Sequence, residues 1–371
     1  MSILSFKHVF FVSRSEYFAP LFLDSIIYKV GVPPASICVV RYGVDSGKSK
    51  NIQELEGVTY LDSESVDKSV FINAVTITYL SLSSFNSKYI RWLLELSPKI
   101  KDKAYMLLTD DEVERWLECK ERYGKLIPDP KLHLSCDDVW VLNEQVNFIG
   151  LDSVFRDRLT NSLGMKDWEI LNATSVFDIL PAKQSDSFSN ALSSVSEGKK
   201  TILLGTKPNA FKYKDVKELI KAFVIQGRQK DFKFIIMWPV TQWRKRVALE
   251  LYFLYLHKVK NITIDVSILT SLSPFSYNAL VSSCSHLLLQ ARGGGGTARE
   301  YIKLGRGKVC IAKGGYNCSL FSQELSVECV LFDSYEDLVK NIDCRIDIQG
   351  NALKINEEEQ RSIRELAKLY S

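Results

Sequence analysis

Short apolar runs alternate with longer segments of helical periodicity along the whole chain. The runs of the first half predict β-strands at residues 9–12, 37–42, 58–61, 105–109 and 139–142. Between them, residues 16–30 keep the helical spacing of apolar positions up to Gly31, and residues 110–123 open with acidic side chains that suit a helix N-terminus. This alternation is typical of α/β layers rather than of a β-sandwich or a helix bundle.

A stretch rich in serine interrupts the pattern between Asn172 and Lys200 and indicates a linker. A second series follows, with strands predicted at 201–205, 232–238, 262–265, 286–290, 309–312 and 327–332, and helices at 214–225, 242–258, 274–284, 297–304, 335–341 and 356–369. We therefore expect an α/β protein of two Rossmann-like, doubly wound domains, residues 1–180 and 181–371. Because ligands of such sheets bind beyond the carboxyl ends of the strands, we expect the active site in a cleft that both domains face.

The composition is that of an ordinary globular protein, with 371 residues of which 46% are hydrophobic and 25% charged. No apolar run reaches the roughly 18 residues that a spanning helix needs, and residues 1–12 lack the features of a signal peptide. The eight cysteines form no CxxC pair, and the four histidines show no spacing typical of metal ligands. The net charge of +4 is too small to indicate a nucleic-acid partner. We expect a cytoplasmic protein with reduced thiols and no bound metal.

Four glycines at residues 293–296 stand directly behind a predicted strand and open a predicted helix. Glycine lets the backbone approach a ligand closely, and a helix N-terminus offers N–H groups and a positive dipole end to an anion. The pattern predicts a phosphate site, with a flexible surface loop as the alternative. It is not a P-loop, because no lysine follows at the required spacing. Gly293, Gly295 and Ala298 match the GxGxxA pattern of dinucleotide sites, but the next strand ends at Lys313, where an NAD site needs a carboxylate.

The spacing Arg292-x-Gly294-x-x-Thr297-x-x-Glu300-x-x-x-x-Gly305 resembles the nucleotide-sugar signature of GT-B glycosyltransferases, in particular the N-acetylglucosaminyltransferases that make lipid II. Residues 200–316 also resemble the fucosamine-type transferases of enterobacterial common antigen, through SLSPFSYNALVSSCSHLLLQ, the glycine loop and GKVCIAKGG. The resemblance implies that the loop and Thr297 meet the donor diphosphate and that Glu300 accepts hydrogen bonds from the ribose hydroxyls. The first half of the chain shows no such likeness, so the acceptor-side chemistry is not implied.

Further donor-binding candidates come from the residues themselves. Lys207 follows a predicted strand, and Arg292 and Arg299 flank the glycines, where they could clamp phosphate or stand as ordinary surface charge. Ser273 and Tyr277 open the helix before the glycine strand, where backbone groups could read a base edge or Ser273 could cap the helix. The predicted donor-binding residues are Lys207, Ser273, Tyr277, Arg292, Gly293, Gly294, Gly295, Gly296, Thr297, Arg299 and Glu300.

Inverting glycosyl transfer needs a base that takes a proton from the acceptor hydroxyl while the diphosphate leaves. Asp110 and Asp111 follow the fourth predicted strand and Glu16 follows the first, so these three carboxylates are the catalytic candidates. Helix capping is the alternative for the two aspartates. Asp137 and Asp138 precede a predicted strand and lack partners, so a metal-dependent GT-A mechanism is disfavoured. We expect a reaction with no metal and no cofactor besides the nucleotide sugar.

These observations predict a metal-independent, inverting GT-B glycosyltransferase of cell-envelope polysaccharide biosynthesis. The families it resembles imply a bacterial surface glycan or a lipid-linked precursor as the acceptor. Residues 88–103 mix aromatic, aliphatic and basic side chains, which fits peripheral contact with anionic lipid at the inner membrane face or a buried amphipathic helix. The alternatives are a non-catalytic nucleotide or sugar-phosphate binding protein and, with less support, an NADP oxidoreductase in which Lys313 holds the extra phosphate.

Overall fold

The structure, a computed structural model, describes residues 6–16, 18–44, 54–164, 167–174, 176–177, 200–208, 210–270, 272 and 274–371, and only the backbone of Asp110, Pro274 and Phe275. The chain forms two compact units. Unit 1 comprises Met1–Phe177 and Glu359–Ser371, and unit 2 comprises Asp178–Glu358. Among the residues described, no helix combines the length and apolarity that crossing a bilayer requires.

Unit 1 contains a seven-stranded parallel sheet in the order β3-β2-β1-β4-β5-β6-β7. Its strands are β1 His8–Ser13, β2 Ile37–Tyr42, β3 Thr59–Asp62, β4 Thr76–Leu80, β5 Ala104–Leu107, β6 Asn147–Gly150 and β7 Glu169–Asn172. Its helices are α1 Phe18–Ser25, α2 Ser69–Asn73, α3 Ser87–Glu95, α4 Pro98–Lys101, α5 Asp110–Tyr123, α6 Cys136–Glu144 and α7 Asp152–Leu163. The first six strands follow the order 3-2-1-4-5-6 of a Rossmann-type sheet.

Both faces of this sheet are covered, and the interior positions of β1, Val9 to Val12, are all apolar. In β1, Val9 and Phe11 point into one hydrophobic core while Phe10 and Val12 point into the other. Because side chains alternate along a strand, a run without polar positions indicates a sheet buried on both sides. This is why the parallel α/β sheet was predictable from the apolar runs.

The sequence predicts a strand at residues 139–142, but these residues lie in α6, and this prediction is wrong. Ser135 and Asp138 form a reciprocal capping box that starts the helix, with the Ser135 N–H donating to Asp138 Oδ2 at 2.8 Å. A short apolar run cannot distinguish a strand from a buried helix, and here the cap in front of it decides. The predictions also missed β4, β6 and β7.

The predicted lipid-contact stretch at residues 88–103 forms α3 and α4, whose apolar side chains Ile90, Leu93 and Leu94 are buried in the core of unit 1. Arg91 at the outer face pairs with Glu95 at 2.8 Å. The second interpretation of this stretch, a buried amphipathic helix, is confirmed.

Unit 2 contains a six-stranded parallel sheet in the order β10-β9-β8-β11-β12-β13. Its strands are β8 Lys200–Leu204, β9 Phe232–Met237, β10 Asp265–Leu269, β11 His286–Leu289, β12 Lys308–Ala312 and β13 Val330–Phe332. Its helices are α8 Tyr213–Ile225, α9 Trp243–Lys258, α10 Pro274–Ser283, α11 Gly295–Lys303, α12 Tyr316–Cys318, α13 Tyr335–Asn341 and the start of α14 Ile348–Leu369. The order is again 3-2-1-4-5-6. The strand predicted at 262–265 is displaced toward the C-terminus and forms β10.

The end of α14 belongs to unit 1, whereas the sequence assigns it to the second domain. Tyr370 is buried there, stacks on Phe10 at 5.6 Å between ring centroids and shares a 2.8 Å hydrogen bond with the Thr78 hydroxyl. Leu366 fills the same core, and the Thr174 N–H donates to Ser362 Oγ at 3.0 Å. The apolar end of the helix therefore completes unit 1. The predicted boundary between residues 180 and 181 lies outside the described residues.

Candidate functional site

The glycine loop, residues 291–296, follows β11, where the order in which the chain adds strands to the sheet of unit 2 reverses. The chain runs outward from β8 through β9 to β10 and returns to β11 on the other side of β8. The Gly205 N–H donates to Leu288 O at 2.8 Å, so the two strands stay paired up to their carboxyl ends. Connections that leave adjacent strands toward opposite faces open a crevice at such a switch point, and ligands of Rossmann-type sheets bind there.

Gly293 and Gly294 both adopt a left-handed backbone, with φ of +77°. Gly294 is the residue before α11, and its carbonyl accepts the Ala298 N–H at 3.0 Å, which closes the first helical turn. A Cβ on Gly294 would lie only 2.1 Å from Thr206 Oγ1. Backbone conformation and space therefore both require glycine at this position.

The next two glycines are not required in the same way. A Cβ on Gly295 would meet Leu320 at an ordinary 3.6 Å, and one on Gly296 would meet nothing within 4 Å. Both lie in the first turn of α11, where backbone N–H groups have no carbonyl of the helix to bond. These amides therefore need hydrogen-bond partners from outside the helix.

A buried pair of polar side chains joins the glycine loop to the loop after β8. Gln290 donates from Nε2 to Thr206 Oγ1 at 3.1 Å and accepts the Thr206 N–H at its Oε1 at 3.4 Å. Neither residue was predicted from the sequence. Their pairing depends on β8 and β11 being neighbours in the sheet, and the two residues are 84 positions apart in the sequence.

Asn317 also supports the loop, and it too was not predicted from the sequence. This fully buried side chain donates from Nδ2 to Gln290 O at 2.6 Å and to Gly293 O at 3.0 Å. Its backbone N–H donates to Ala291 O at 3.0 Å. Its Oδ1 has no hydrogen-bond partner among the described residues. One side chain therefore holds a carbonyl before the left-handed turn and a carbonyl within it.

Tyr277, a predicted donor-binding residue, lies at the same place but acts within the protein. Its hydroxyl donates to Thr206 O at 2.5 Å and lies 3.5 Å from the Thr297 hydroxyl. Burial raises the pKa of Tyr277 to about 12, and the hydrogen bond with Thr297 opposes that rise. The neutral hydroxyl of α10 thus ties the β8 loop to the first turn of α11. Ser273, predicted beside it, lies outside the described residues.

The predicted cations are arranged around the glycine loop. The Lys207 ammonium lies at the loop, since a Cβ on Gly293 would be 3.3 Å from its Nζ. Lys207 and Arg292 are exposed, and Arg299 is half-buried in α11. The Glu300 carboxylate pairs with Lys303 at 3.2 Å, one turn further along the same helix. The structure therefore brings Lys207, Tyr277 and Thr297 together around the glycine loop.

The predicted catalytic carboxylates lie in unit 1 at the starts of two helices. Glu16 follows β1, and its Oε1 accepts the Phe18 N–H at 3.0 Å. Asp111 is exposed in the first turn of α5, while the side chain of Asp110 lies outside the described residues. Asp137 and Asp138, expected before a strand, belong to α6, where Asp137 pairs with Arg91 at 3.0 Å.

A third carboxylate in the first turn of α5 was missed. Glu112 is only 2% exposed, accepts the Thr109 hydroxyl at 2.7 Å and accepts the Leu82 N–H at 3.3 Å. Burial raises the pKa of Glu112 to about 8, against the opposing effect of these hydrogen bonds. The spacing Thr109-x-x-Glu112 fits a capping box and could have identified it. Glu112 joins the loop after β4 to the start of α5.

No group of three or more His, Cys, Asp and Glu side chains is placed to hold a metal ion in the part of the chain that the structure describes. The chemistry that this geometry offers in unit 2 is anion binding, through backbone amides, a helix N-terminus and nearby cations.

No protein-family model matches the chain, and no curated protein matches it significantly. Solved structures do share its fold. Anabaena HepE in complex with UDP superposes with a TM-score of 0.61 at 12% identity, covering 98% of this chain and 100% of that one. A glycosyltransferase from Rickettsia africae gives a TM-score of 0.57 at 12% identity, covering 99% of each chain. The UDP-GlcNAc 2-epimerase of Methanocaldococcus jannaschii gives 0.56 at 11% identity, covering 97% of this chain and 99% of that one.

At these identities the likeness concerns the fold. The two parallel α/β units, with helices alternating with strands, match the architecture of the GT-B proteins, and this prediction is confirmed. The narrower resemblance to the lipid II and enterobacterial common antigen transferases stays a prediction.

Proposed function

We propose that this chain is a glycosyltransferase that binds a nucleoside-diphosphate sugar at the glycine loop of unit 2. One observation carries the proposal: the left-handed turn at Gly293 and Gly294 lies at the switch point of a Rossmann-type sheet and is held by a buried hydrogen bond from Asn317 to Gly293 O. A rigid turn ahead of a helix N-terminus suits a diphosphate. The structures of HepE with UDP, and with UDP and glucose, support this ligand class.

In this proposal the amides at the start of α11 and the Thr297 hydroxyl hold the diphosphate. Lys207, Arg292 and Arg299 supply positive charge that offsets the charge of the leaving diphosphate, so no metal is required. Glu300 accepts hydrogen bonds from the ribose, as the sequence resemblance implies, and its pairing with Lys303 leaves it an acceptor. Tyr277 positions the loop rather than contacting the base.

Unit 1 supplies the acceptor side in the proposal. The base that takes the acceptor proton is Asp110, Asp111 or Glu16, and transfer proceeds with inversion. Of the two whose side chains are described, Asp111 is exposed and Glu16 is half-buried, so Asp111 is the first to test. The acceptor is a bacterial surface glycan or its lipid-linked precursor at the cytoplasmic face of the membrane.

A second candidate is a non-catalytic nucleotide or sugar-phosphate binding protein. The observation that favours it is that Glu16 and Asp111 both occupy helix starts, where carboxylates are common without a catalytic role. The NADP alternative gains no support, because Lys313, on which it depends, is paired with Asp333 at 2.5 Å.

A thermal-shift screen with UDP, GDP, dTDP, CMP and NADP tests the ligand class. A nucleoside diphosphate at about 100 times its Kd should stabilise the protein by about 2.7 kcal/mol. Release of that diphosphate from its sugar conjugate, slowed about 10²-fold or more by Asp111→Asn with unchanged binding, would establish the enzyme. Stabilisation by NADP alone would refute the proposal, and diphosphate binding without turnover would favour the binding protein.

A further inference from the structure

Helix α9 of unit 2 is apolar on two sides, and only one of them packs against the protein. Leu249 and Leu256 are buried, and Tyr252 and Phe253 pack on the core of the unit. On the other side, large apolar side chains are exposed to solvent, with Trp243 at 60% and Leu251 at 59%. We call this side the outer face of α9; it consists of Trp243, Val247, Leu251, Leu254 and Tyr255.

The outer face forms a continuous stripe. At 3.6 residues per turn its five positions fall within an arc of about 120° along the helix. Val240 before the helix and Val259 behind it are also exposed, at 67% and 66%. Single exposed apolar residues are normal on a protein surface, but a contiguous stripe of this kind marks an interaction surface.

Basic residues surround this stripe. Residues 243–260 contain Arg244, Lys245, Arg246, Lys258 and Lys260 against the single acidic residue Glu250, a net charge of +4. The whole chain also has a net charge of +4, so the remaining residues sum to zero. The excess positive charge of the protein is thus concentrated on one helix and its end.

Aromatic rings and cations are paired at both ends of the outer face. The Arg244 guanidinium lies over the Trp243 ring at 5.5 Å from its centroid, and the Lys260 ammonium lies over the Tyr255 ring at 5.9 Å. Tryptophan and tyrosine prefer the boundary between hydrocarbon and lipid headgroups, and lysine and arginine reach from there to the phosphates. The apolar positions Val247, Leu251 and Leu254 lie between these ends.

We propose that the outer face of α9 binds the surface of an anionic lipid bilayer, with the helix lying in the plane of the interface. The exposed apolar stripe can bury its side chains at the boundary between headgroups and acyl chains, and each lysine or arginine near an anionic surface adds attraction. A second copy of the chain fits less well, because two such faces pressed together would bring two clusters of net charge +4 into contact. The proposal does not depend on the enzymatic activity.

Sedimentation of the full-length protein with vesicles tests it. The wild type should bind vesicles of equal parts phosphatidylglycerol and phosphatidylcholine at least about tenfold more tightly than vesicles of phosphatidylcholine alone, and added salt should weaken binding. The double variant Leu251→Glu/Leu254→Glu should lose binding. Ile225→Glu, which changes a single apolar residue 64% exposed at the end of α8, should retain it.

Because all three positions are exposed, the variants should fold, which circular dichroism checks. Light scattering gives the mass of each protein in solution. Failure of the wild type to bind anionic vesicles, or equal binding by the double variant, would overturn the proposal. A wild-type dimer that the double variant converts to a monomer would assign the face to a second copy and overturn it as well. Nucleotide binding by the double variant should match the wild type, which separates this result from the proposed function.

Discussion

At the scale of single residues, Gly294 has a left-handed backbone and no room for a side chain. A left-handed φ costs an ordinary L-residue about 1–2 kcal/mol, and a Cβ at this position would collide with the Thr206 hydroxyl. Gly227 adopts a similar φ of +70° at the end of α8, but a Cβ there would meet nothing within 4 Å. A side chain at Gly227 would therefore introduce backbone strain alone, whereas a side chain at Gly294 would introduce both backbone strain and a steric clash.

Tyr277 offers a prediction on how the loop is held. Tyr277→Phe removes the hydrogen bond to Thr206 O and should lower the free energy of unfolding by about 1 kcal/mol. Urea denaturation measures this change. Tyr255→Phe, at an exposed position of α9, is the matched control and should change stability by less than about 0.5 kcal/mol. Equal stabilities of the two variants would show that the Tyr277 hydroxyl does not support the loop.

Glu112 predicts a pH dependence. Its pKa in the folded protein is about 8, above the ordinary value of 4.5, so between these values the folded state binds more protons than the unfolded state. The free energy of unfolding that Glu112 contributes is therefore complete below about pH 4.5 and is lost as the pH rises toward 8, by about 1.4 kcal/mol per unit at most. Glu112→Gln should remove this decline.

The measurement is urea denaturation of both proteins at several pH values between 5 and 8. Burial lowers the pKa of His8 and of His286 to about 4, so both histidines act in the opposite direction, but they are present in both proteins and cancel in the difference. Parallel stability profiles of wild type and Glu112→Gln would contradict the assignment.

At the scale of elements, the last turns of α14 show how a helix that starts in unit 2 completes unit 1. Tyr370→Ala removes a buried ring that packs on Phe10 and His8 and should destabilise unit 1 by about 3–5 kcal/mol. Lys368→Ala, with a side chain 70% exposed two residues earlier, should change stability by less than about 0.5 kcal/mol. Urea denaturation compares them, and a small effect of Tyr370→Ala would mean that α14 is peripheral to the core.

Most elements of unit 2 were predictable because its strands other than β10 are clear apolar runs between turn residues. The predictions that failed did so for specific reasons. Residues 139–142 are apolar enough for a strand, but the Ser135–Asp138 cap starts a helix before them. Strand β4 follows directly on the short helix α2, without a turn signal long enough to separate them. The local sequence only weakly determines where such short helices and strands begin and end, and tertiary packing overrides it.

At the scale of the whole molecule, the glycine loop was predictable as a phosphate site because strand, glycines and helix are contiguous in sequence. The side chains that fix the loop were not. Thr206, Gln290 and Asn317 come from three different connections, and only the strand order of the sheet brings them together. For the same reason the sequence did not predict that the end of the C-terminal helix packs in unit 1. Tyr370 shares a hydrogen bond with Thr78, which lies 292 positions earlier in the sequence.

The central claim is that a nucleoside diphosphate binds at the glycine loop, and calorimetric titration of the glycine variants tests it most directly. The nucleoside diphosphate that stabilises the protein most in the thermal-shift screen is titrated into the wild type, Gly294→Ala and Gly227→Ala. Gly227→Ala should bind like the wild type, because its strain lies at a remote turn, whereas Gly294→Ala should lose at least about tenfold, or about 1.4 kcal/mol, of affinity while remaining folded. Wild-type affinity in a folded Gly294→Ala protein would contradict the account.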